Sequence, residues 1–585
     1  MMKTHIYLKG FLLAIFFSIV VAPTQTIACQ KHNVYIKKDV DLEGKTWTLS
    51  EGTVLVLKGG KIKNGKIIGN KSIVKSSAKC IFENVVIDGS WNNTEVYAAW
   101  FPIEQGAGHD NAPHFKNLMT LCGGDEMTHL YVPKGEYYVS TLSGASNINV
   151  PSKTYWHNEA TIVEIPNDFT KSSLVLIHGS DDVTIDGGTF IGDVKEHNGT
   201  EGEWGHGIKC AGARNTTLKN LVCREFWGDG IDLIEGRDSK TKEYFNCDDI
   251  LIENVACLYN RRQGMSIEAA VNVTVKNSEF AFTGQHGFTK PGAGVDIEPW
   301  RTDIEKIRNI RFSRCLFHDN RGFDFHSVPN WKLDEQTYVL RKNDIELSQC
   351  TLGIVYIGST NGIILKNCRI GLGVKSLSDR DGFVSGNDLA VLRITRAKAR
   401  VENCEVENHI EDVFTLAVRN SDYTLDLPVV LKNNTFNSTT MKRTGAYHYA
   451  MDISSPNCTL EGNVISTKQG ILLRTLRAQN ENEAVVLQRN RFVGQNEQWK
   501  NACLTFHSTN LSRRFRSIRV EDNIIEGYSY VLENDNSTHI IEYTGASTVP
   551  LERGVSLSTI KVKEGSRQMT SKGEMVYRKG KWQKR

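Results

Sequence analysis

The sequence predicts an all-β fold, a single-stranded right-handed parallel β-helix solenoid with a short N-terminal capping helix. Three observations support this prediction. An eight-residue pattern recurs twelve times, each copy has the alternation typical of strand, bend and strand, and one early segment has the pattern of a capped helix. A chain of 585 residues exceeds the ~100–200 residues of an ordinary domain, and a long solenoid accounts for that length.

The repeat has the order apolar, any, apolar, any, Asn or a substitute, any, any, apolar. Asn is favoured at the bend because it tolerates a left-handed backbone and forms local hydrogen bonds. The spacing between copies varies from 18 to 37 residues, which predicts loops of different length around a constant core. The copies begin at Val183, Thr216, Ile250, Val273, Ile310, Ile345, Ile363, Ala399, Val429, Cys458, Val485 and Ile518.

The cysteines follow the same register. Cys223 and Cys257 share the last apolar position of the repeat, and four others share the position after the bend. We expect interior thiols that pack as small hydrophobic groups. Neighbouring coils lie ~4.8 Å apart, so a disulfide between Cys223 and Cys257 remains an alternative. The four that follow the bend are Cys315, Cys350, Cys368 and Cys404.

The capping helix is predicted after Asp110 and Asn111, where Pro113 and then Phe115 and Leu118 give an apolar face. A solenoid needs such a cover because an open core would aggregate. The predicted organisation is a signal peptide at 1–28, an N-terminal β-rich region at 29–100, the parallel β-helix at 101–540 and a C-terminal β extension at 541–585.

The first residues have the pattern of an export signal. Lys3 and Lys9 precede an apolar run that is shorter than a membrane span of ~20 residues. We therefore expect a bacterial protein in the periplasm, at the cell surface or outside the cell. Cys29 after Ala28 resembles a lipoprotein box, so a lipid anchor at Cys29 and ordinary cleavage after Ala28 both fit.

The charge balance narrows the possible partners. The chain has 70 Lys and Arg against 67 Asp and Glu, a formal net charge of +3. This balance gives no bulk field for nucleic acid or an anionic membrane surface. We expect a monomer that binds no nucleic acid and meets a membrane only through an N-terminal lipid.

One predicted sheet carries a cluster of acidic groups on its outer face. Five strand segments align as HGIKCAG, GDGIDLIEG, QGMSIEAA, AGVDIEPW and RGFDFHS. Side chains alternate across a strand, so one position of each segment points inward and the next points outward. The inward set is Ile208, Ile231, Met265, Val295 and Phe323, and the outward set is Lys209, Asp232, Ser266, Asp296 and Asp324. Two residues further on, Glu268, Glu298 and His326 share the outward face.

Like charges ~5 Å apart destabilise a fold unless something compensates them, and such clusters are typical of working sites. Outward carboxylates on a solenoid can also simply be solvated, and that alternative stays open. The candidate catalytic residues are Asp232, Glu268, Asp296, Glu298 and Asp324.

Residues around these strands supply candidate binding groups. Aromatic faces stack on sugar rings, and Arg binds the carboxylates of uronates in bidentate fashion. The candidate substrate-binding residues are Asp229, Arg261, Arg262, Lys290, Trp227, Trp300, Arg301, Arg321 and His326, with Trp331 also flanking the strands.

A family resemblance supports this interpretation. Trp100 and Phe101, the helix, LYVPKGEYYV at 130–139 and VTIDGGTFIGD at 183–193 resemble the opening of the pectate-lyase and polygalacturonase β-helix superfamily. The resemblance implies the fold and a carbohydrate-active protein, but not the reaction. WGDGIDL resembles the polygalacturonase segment with paired aspartates, which matches Asp229 and Asp232. RRQGMSI and GAGVDIEP depart from the motifs that follow in that family, so polygalacturonase activity is not expected.

Three functions fit these residues, each with a polysaccharide or oligosaccharide as partner. The first is a glycoside hydrolase that uses paired carboxylates and no cofactor. The second is a calcium-dependent lyase acting on a uronate-containing glycan. The third is a non-catalytic glycan-binding surface protein. In the lyase, Asp232, Glu268, Asp296 and Glu298 hold Ca²⁺, and the base is one of Arg261, Arg262, Lys290 and Arg301.

Overall fold

The computed structural model describes most of the chain from residue 32 onward. Within that part no helix is both long enough and apolar enough to cross a membrane. The predicted signal peptide and the predicted lipid attachment at Cys29 lie outside the described residues and stay predictions. The described residues are 32–301, 306–374, 389–420, 425–441, 448–474, 485–495, 502–507, 518–534, 541–551, 560–570 and 572–585.

The chain is a right-handed parallel β-helix, as the repeat and the superfamily resemblance predicted. Each full coil adds one strand to each of three parallel sheets, named here sheets 1, 2 and 3. Sheet 1 contains fourteen strands. They are Ile148–Asn149, Lys171–His178, Trp204–Ala211, Asp229–Ile234, Gln263–Ile267, Ala293–Ile297, Phe325–Ser327, Val355–Gly358, Ala390–Thr395, Phe414–Arg419, Met451–Ser454, Ile471–Arg474, Ala502–His507 and Tyr530–Asn534.

Sheet 2 holds the first half of every predicted repeat. All twelve repeat starts lie in one register, from Val183 opposite Thr216 to Val485 opposite Ile518. The strands are Glu95–Tyr97, Thr128–Val132, Thr154–Asn158, Asp181–Asp186, Arg214–Lys219, Cys247–Glu253, Ala270–Lys276, Arg308–Ser313, Ile345–Ser348, Asn361–Lys366, Lys398–Glu402, Val429–Lys432, Cys458–Glu461, Val485–Gln488, Ile518–Glu526, Ile541–Ser547 and Ile560–Val562.

Sheet 3 follows the bend of each repeat. Its last strand is the second half of the long strand Ile518–Glu526, which also pairs in sheet 2. The other strands are Glu136–Val139, Thr161–Glu164, Thr189–Ile191, Val222–Arg224, Ala256–Leu258, Glu279–Ala281, Leu316–His318, Thr351–Leu352, Arg369–Ile370, Glu405–Asn408, Thr435–Ser438, Val464–Thr467 and Arg491–Gly494.

The bends between sheets 2 and 3 have the conformation that the sequence predicted. Asn220, Asn254 and Asn277 have φ values of 56°, 54° and 53°, which is the left-handed region. The amide of Asn254 donates to Oδ1 of Asn220 at 2.9 Å, so neighbouring bends are also hydrogen-bonded. The ladder therefore stabilises the turn and sets the register of the coils together.

The core is a continuous apolar column inside the coils. Ile231, Met265 and Val295 are fully buried, as predicted. Cys223 lies opposite Cys257 in sheet 3, and both are free thiols. All twelve cysteines in the described residues are free, and eleven of them are buried. The prediction of interior thiols is confirmed, and the alternative disulfide between Cys223 and Cys257 does not form.

The predicted helix is confirmed at Ala112–Leu121. Phe115 and Leu118 are fully buried, and the ring of Phe115 lies 6.2 Å from that of Trp156. The side chain of Asn117 accepts a hydrogen bond from the backbone N–H of Ile87 at 3.0 Å. The helix therefore packs between an earlier β unit and the first coils of the solenoid.

That earlier unit and the C-terminal extension complete the architecture. The early strands pair in parallel with one another, whereas the last three strands form an antiparallel ribbon. A second helix, Glu335–Leu340, follows the seventh strand of sheet 1. The early strands are Asn33–Ile36, Val40–Asp41, Thr46–Thr48, Val54–Leu57, Ile62–Lys75 and Phe82–Trp91, the ribbon is Arg567–Thr570, Gly573–Arg578 and Lys581–Lys584, and Gly236–Arg237 pairs with Tyr244–Phe245 in a separate hairpin. A 3₁₀ turn covers Ala98–Trp100.

Candidate functional site

The outer face of sheet 1 carries a continuous ladder of polar residues across successive coils. The strand pairings confirm the predicted outward positions of the first four members and extend the ladder beyond them. In order, the ladder is Lys209, Asp232, Ser266, Asp296, His326, Tyr356 and Arg393.

The prediction was wrong at the fifth coil. His326, and not Asp324, lies opposite Asp296, so the inward residue of that coil is Phe325 and not Phe323. Asp324 is fully buried, and its Oδ2 accepts a hydrogen bond from the backbone N–H of Ile354 at 2.7 Å. Its Oδ1 accepts a 3.0 Å hydrogen bond from the amide of Asn320. The bond from Ile354 ties Asp324 to the neighbouring coil, and the outward ladder position of the fifth coil falls two residues later, at His326.

A cavity of about 230 Å³ opens on this face of sheet 1. Half of its lining residues are candidates named from the sequence, and they include three of the predicted carboxylates. The lining residues are Arg262, Gln263, Ser266, Glu268, Asp296, Glu298, Pro299, Trp300, Trp331 and Lys332.

Asp296 lies at the centre of the site and is held by two neighbours. The Gln263 amide donates to its Oδ2 at 2.6 Å, and Nδ1 of His326 lies 2.7 Å from its Oδ1. The His326 ring packs against both Phe323 and Tyr356, with centroids 5.4 Å and 5.2 Å away, and those two rings also stack on each other at 5.2 Å. Packing and hydrogen bonds therefore fix the orientation of the Asp296 carboxylate.

Glu298 is the second carboxyl of the centre. Burial and the charge of Asp296 raise the pKa of Glu298 to about 7, against an opposing effect of His326. One ligand atom each from Asp296, Glu298 and His326 lie within 4.8 Å of one another. This geometry permits two uses of the group, proton transfer between carboxyls or the binding of a cation.

A buried charge pair supports the cavity from the preceding coil. Nη1 of Arg262 lies 3.0 Å from Oδ2 of Asp229, which also accepts a hydrogen bond from Ser266 Oγ at 2.7 Å. Burial raises the pKa of Asp229 to about 7, opposed by Arg262 and reinforced by Asp232. Burial and the charge of Asp232 also raise the pKa of Glu268 well above its ordinary value. The charge of Arg262 thus compensates several acidic neighbours at once.

Asp232 lies beside the cavity and does not line it. Its Oδ2 is 3.4 Å from Nζ of Lys209 and 3.6 Å from Nε2 of His206. Burial raises the pKa of Asp232 and lowers that of His206 well below its ordinary value. The Asp232 carboxylate and His206 therefore form a buried polar group, and Asp232 lies two strand spacings away from Asp296.

Exposed aromatic rings stand at the rim. Trp300 is 62% exposed and Trp331 is 42% exposed, which is unusual for the largest apolar side chain. Nζ of Lys332 lies 4.2 Å from the ring centre of Trp331. Trp204 meets Trp300 edge-on at 6.1 Å, so Trp204 supports the ring that lines the cavity.

The structure places several predicted binding residues outside the cavity lining. Trp227 is sandwiched between the guanidinium of Arg261 at 3.7 Å and the ring of His197 at 3.9 Å. Arg321 lies over Phe288 at 4.7 Å. Arg301 lies over Tyr244 at 4.3 Å, and Lys290 is exposed next to Pro291. These contacts shape the surrounding loops.

Sequence reasoning missed Gln263, Lys332 and the contribution of His206. Asp229 lies opposite Gln263 in sheet 1, three residues before the ladder positions. His206 stands at the same offset before Lys209. Aligning the residues three positions before each ladder residue could therefore have revealed both Gln263 and His206. Lys332 lies in a connection and has no such signal.

Comparison with known proteins shows only distant similarity. No protein-family model matches the chain. A Bacillus subtilis (strain 168) protein described as "Uncharacterized protein YclG" is 28% identical over 243 residues, which is 38% of this chain and 41% of that protein. The match thus spans less than half of that relative.

Solved structures resemble the chain at low sequence identity. A tailspike protein of Escherichia coli bacteriophage HK620, in complex with a hexasaccharide, is 10% identical with a TM-score of 0.45, covering 80% of this chain and 77% of that one. The Azotobacter vinelandii mannuronan C-5 epimerase AlgE6 A-module is 11% identical with a TM-score of 0.41, covering 79% of this chain and all of that one. Likeness at this level leaves function to be argued from the site itself.

Proposed function

We propose that this chain is a carbohydrate-active enzyme that hydrolyses a polysaccharide at the cavity on sheet 1. One observation supports the proposal above the others. Two carboxyls, Asp296 and Glu298, share a small cavity with the exposed rings of Trp300 and Trp331. Paired carboxyls beside aromatic sugar platforms are what glycoside hydrolysis requires.

The two carboxyls have different environments, which assigns them different roles. Glu298 has a pKa of about 7, so it carries a proton near neutral pH and is the general acid. Asp296, oriented by Gln263 and His326, faces the anomeric carbon as the nucleophile. Glu298 gives its proton to the glycosidic oxygen while Asp296 forms the bond to carbon. Water then releases the sugar, and Glu298 takes the proton back.

The spacing of the pair supports a retaining mechanism. An oxygen of Asp296 and one of Glu298 lie within 4.8 Å. Retaining enzymes place their carboxyls ~5 Å apart, whereas inverting enzymes need ~6.5–9.5 Å to admit a water molecule. Under this proposal the anomeric configuration of the product matches that of the substrate.

A calcium-dependent lyase is the second candidate, and the two neighbouring carboxyls of Asp296 and Glu298 favour it, whereas His326 beside them does not. Calcium takes six to eight oxygen ligands, so an imidazole nitrogen fits that ion poorly. Burial lowers the pKa of Arg262, but Asp229, Glu268 and Asp296 together raise it above its ordinary value. Such a guanidinium is a weak base for removing the C5 proton. These features rank the lyase below the hydrolase.

The product chemistry separates the candidates. The purified chain is incubated with plant, algal and host glycans, with and without a chelator. We expect new reducing ends, no ultraviolet-absorbing unsaturated ends and no effect of the chelator. Unsaturated products that vanish with the chelator would establish the lyase instead.

A non-catalytic glycan binder is the remaining alternative. Asp296→Asn and Glu298→Gln should both abolish cleavage while binding persists, and Glu253→Gln on sheet 2 is the matched control. A binder would leave every glycan in the panel intact and bind equally well in all four proteins.

Export and lipid attachment are proposals of the same kind. We expect the mature chain outside the cytoplasm, where a polysaccharide substrate is accessible. If Cys29 is lipidated, Cys29→Ala should move the protein from the membrane fraction to the soluble fraction. An unchanged distribution would favour ordinary cleavage after Ala28.

A further inference from the structure

The outer face of sheet 2 contains a second groove, remote from the cavity on sheet 1. It encloses about 730 Å³ and crosses six successive strands, from Ala270–Lys276 to Val429–Lys432. Nothing in the proposed cleavage mechanism uses this surface. Its size and charge are those of a second binding surface.

The groove is strongly basic although the chain is nearly neutral. Five cationic and two acidic side chains line it, so its local excess of positive charge equals the +3 net charge of the whole chain. Two of these cations are ion-paired: Nε of Arg311 lies 3.7 Å from Oε2 of Glu346, and Arg400 pairs with Glu402. Arg308, Lys342 and Lys398 are exposed and have no ion-pair partner among the described residues. The unpaired charges are available to an outside ligand.

The spacing of these cations indicates a polymer. Three strand spacings separate the strand of Arg308 from that of Lys398. At ~4.8 Å per spacing the two strands lie roughly 14 Å apart. A single small anion cannot contact both side chains at once. A chain with repeated negative charges can, because it runs along the solenoid axis and meets Lys342 between them.

The floor of the groove favours a sugar chain over a nucleic acid. Among the residues that the structure describes, no aromatic side chain lines it, so this lining offers no stacking platform for unpaired bases. The amide nitrogen of Asn309 donates to Asn272 at 2.7 Å and that of Asn361 donates to the Tyr338 carbonyl at 3.0 Å. Their amide oxygens are suited to accept hydrogen bonds from hydroxyl groups. Ile364, on the same strand as Asn361, is 36% exposed and supplies an apolar patch. Carboxylate or sulfate groups would pair with the cations.

We propose that this groove binds an anionic polysaccharide, with uronate or sulfate groups, at a site separate from the cleavage cavity. The groove would hold the chain to a glycan surface by charge and hydrogen bonds. This binding does not depend on the proposed hydrolysis, so either can fail without the other.

The test uses the full chain carrying Glu298→Gln, so that cleavage cannot consume the ligand. The groove variant is R308Q/K342Q/K398Q, and the control K37Q/K38Q/K79Q removes three exposed lysines of the N-terminal unit. The probes are polygalacturonate, heparin, neutral dextran and a single-stranded oligodeoxythymidine. Binding is measured by affinity electrophoresis, and thermal unfolding verifies that both variants are folded.

We expect the control to bind polygalacturonate, heparin or both, and to show no binding to dextran. The groove variant should lose at least tenfold in affinity and show a smaller dependence on salt, because fewer ion pairs form. Comparing the affinities for polygalacturonate and heparin distinguishes recognition of uronate groups from recognition of sulfate groups. Equal binding by both variants, no binding to either acidic glycan, or equally tight binding of the oligonucleotide would overturn the proposal.

Discussion

The outer faces of sheets 1 and 2 carry different arrangements of charge on the same coils. On sheet 2 the outward ladder runs Asp186, Lys219, Glu253 and Lys276, with signs alternating. Lys219 lies 3.1 Å from Asp186, and Lys276 lies 3.1 Å from Glu253, all partly exposed. On sheet 1 the corresponding coils gather several carboxyls around Arg262 and bury them.

The contrast shows which arrangement serves the fold. Alternating charges in solvent stabilise neighbouring coils slightly and cost little. Buried carboxyls lose hydration that a few partners cannot replace, and their pKa values rise as a result. The solenoid could have used the sheet 2 pattern on both faces. The acidic face of sheet 1 therefore indicates a functional site.

The largest expected effect is on catalysis. Glu298→Gln keeps the shape of the side chain but removes the proton donor, so kcat for glycan cleavage should fall by about 10²–10⁴-fold. Glu253→Gln on sheet 2 should change kcat by less than about twofold, since that residue is far from the reacting atoms. Comparable losses of kcat in both variants would show that the acidic face of sheet 1 matters no more for cleavage than the ladder of sheet 2. Reducing-end assays measure both.

The next effect is on stability. Arg262→Met leaves the buried Asp229 without its cation, so the free energy of unfolding should fall by about 3 kcal/mol. The loss should be larger at pH 9 than at pH 6, because Asp229 takes up a proton at the lower pH. Lys276→Met on sheet 2 should cost under about 1 kcal/mol. Urea denaturation of the three proteins tests this, and equal losses would contradict it.

A smaller effect is expected at the rim. Trp300→Ala removes one sugar platform worth about 1 kcal/mol, which corresponds to a rise in KM of about fivefold with kcat nearly unchanged. Tyr35→Ala removes a similarly exposed ring far from the cavity and should leave KM unchanged. A fall in kcat with an unchanged KM would place Trp300 in the chemical step instead.

The smallest effect concerns the sheet 2 ladder. A double-mutant cycle on Glu253 and Lys276 should give a coupling energy below about 1 kcal/mol that weakens as salt is added. A coupling of several kcal/mol would mean that the solvated ladder matters as much to the fold as the buried cluster.

The sequence predicted the repeat register well because each copy encodes its own alternation and bend. The register failed at RGFDFHS because alternation allows either Phe323 or Phe325 to point inward. The hydrogen bond from the backbone N–H of Ile354 to Asp324 decides between them. It joins residues 30 positions apart in the sequence, so local alternation does not reveal it. Gln263 was missed for a similar reason, since its role arises only when it meets Asp296 from the neighbouring coil.

Proton donation by Glu298 is tested by the pH dependence of kcat/KM for cleavage by the unmodified chain. A general acid must be protonated, and the pKa of Glu298 is about 7. The rate should therefore fall as pH rises through about 7, with one proton lost along that limb. A rate that stays constant or increases between pH 6 and pH 8.5 would contradict proton donation by this carboxyl cluster.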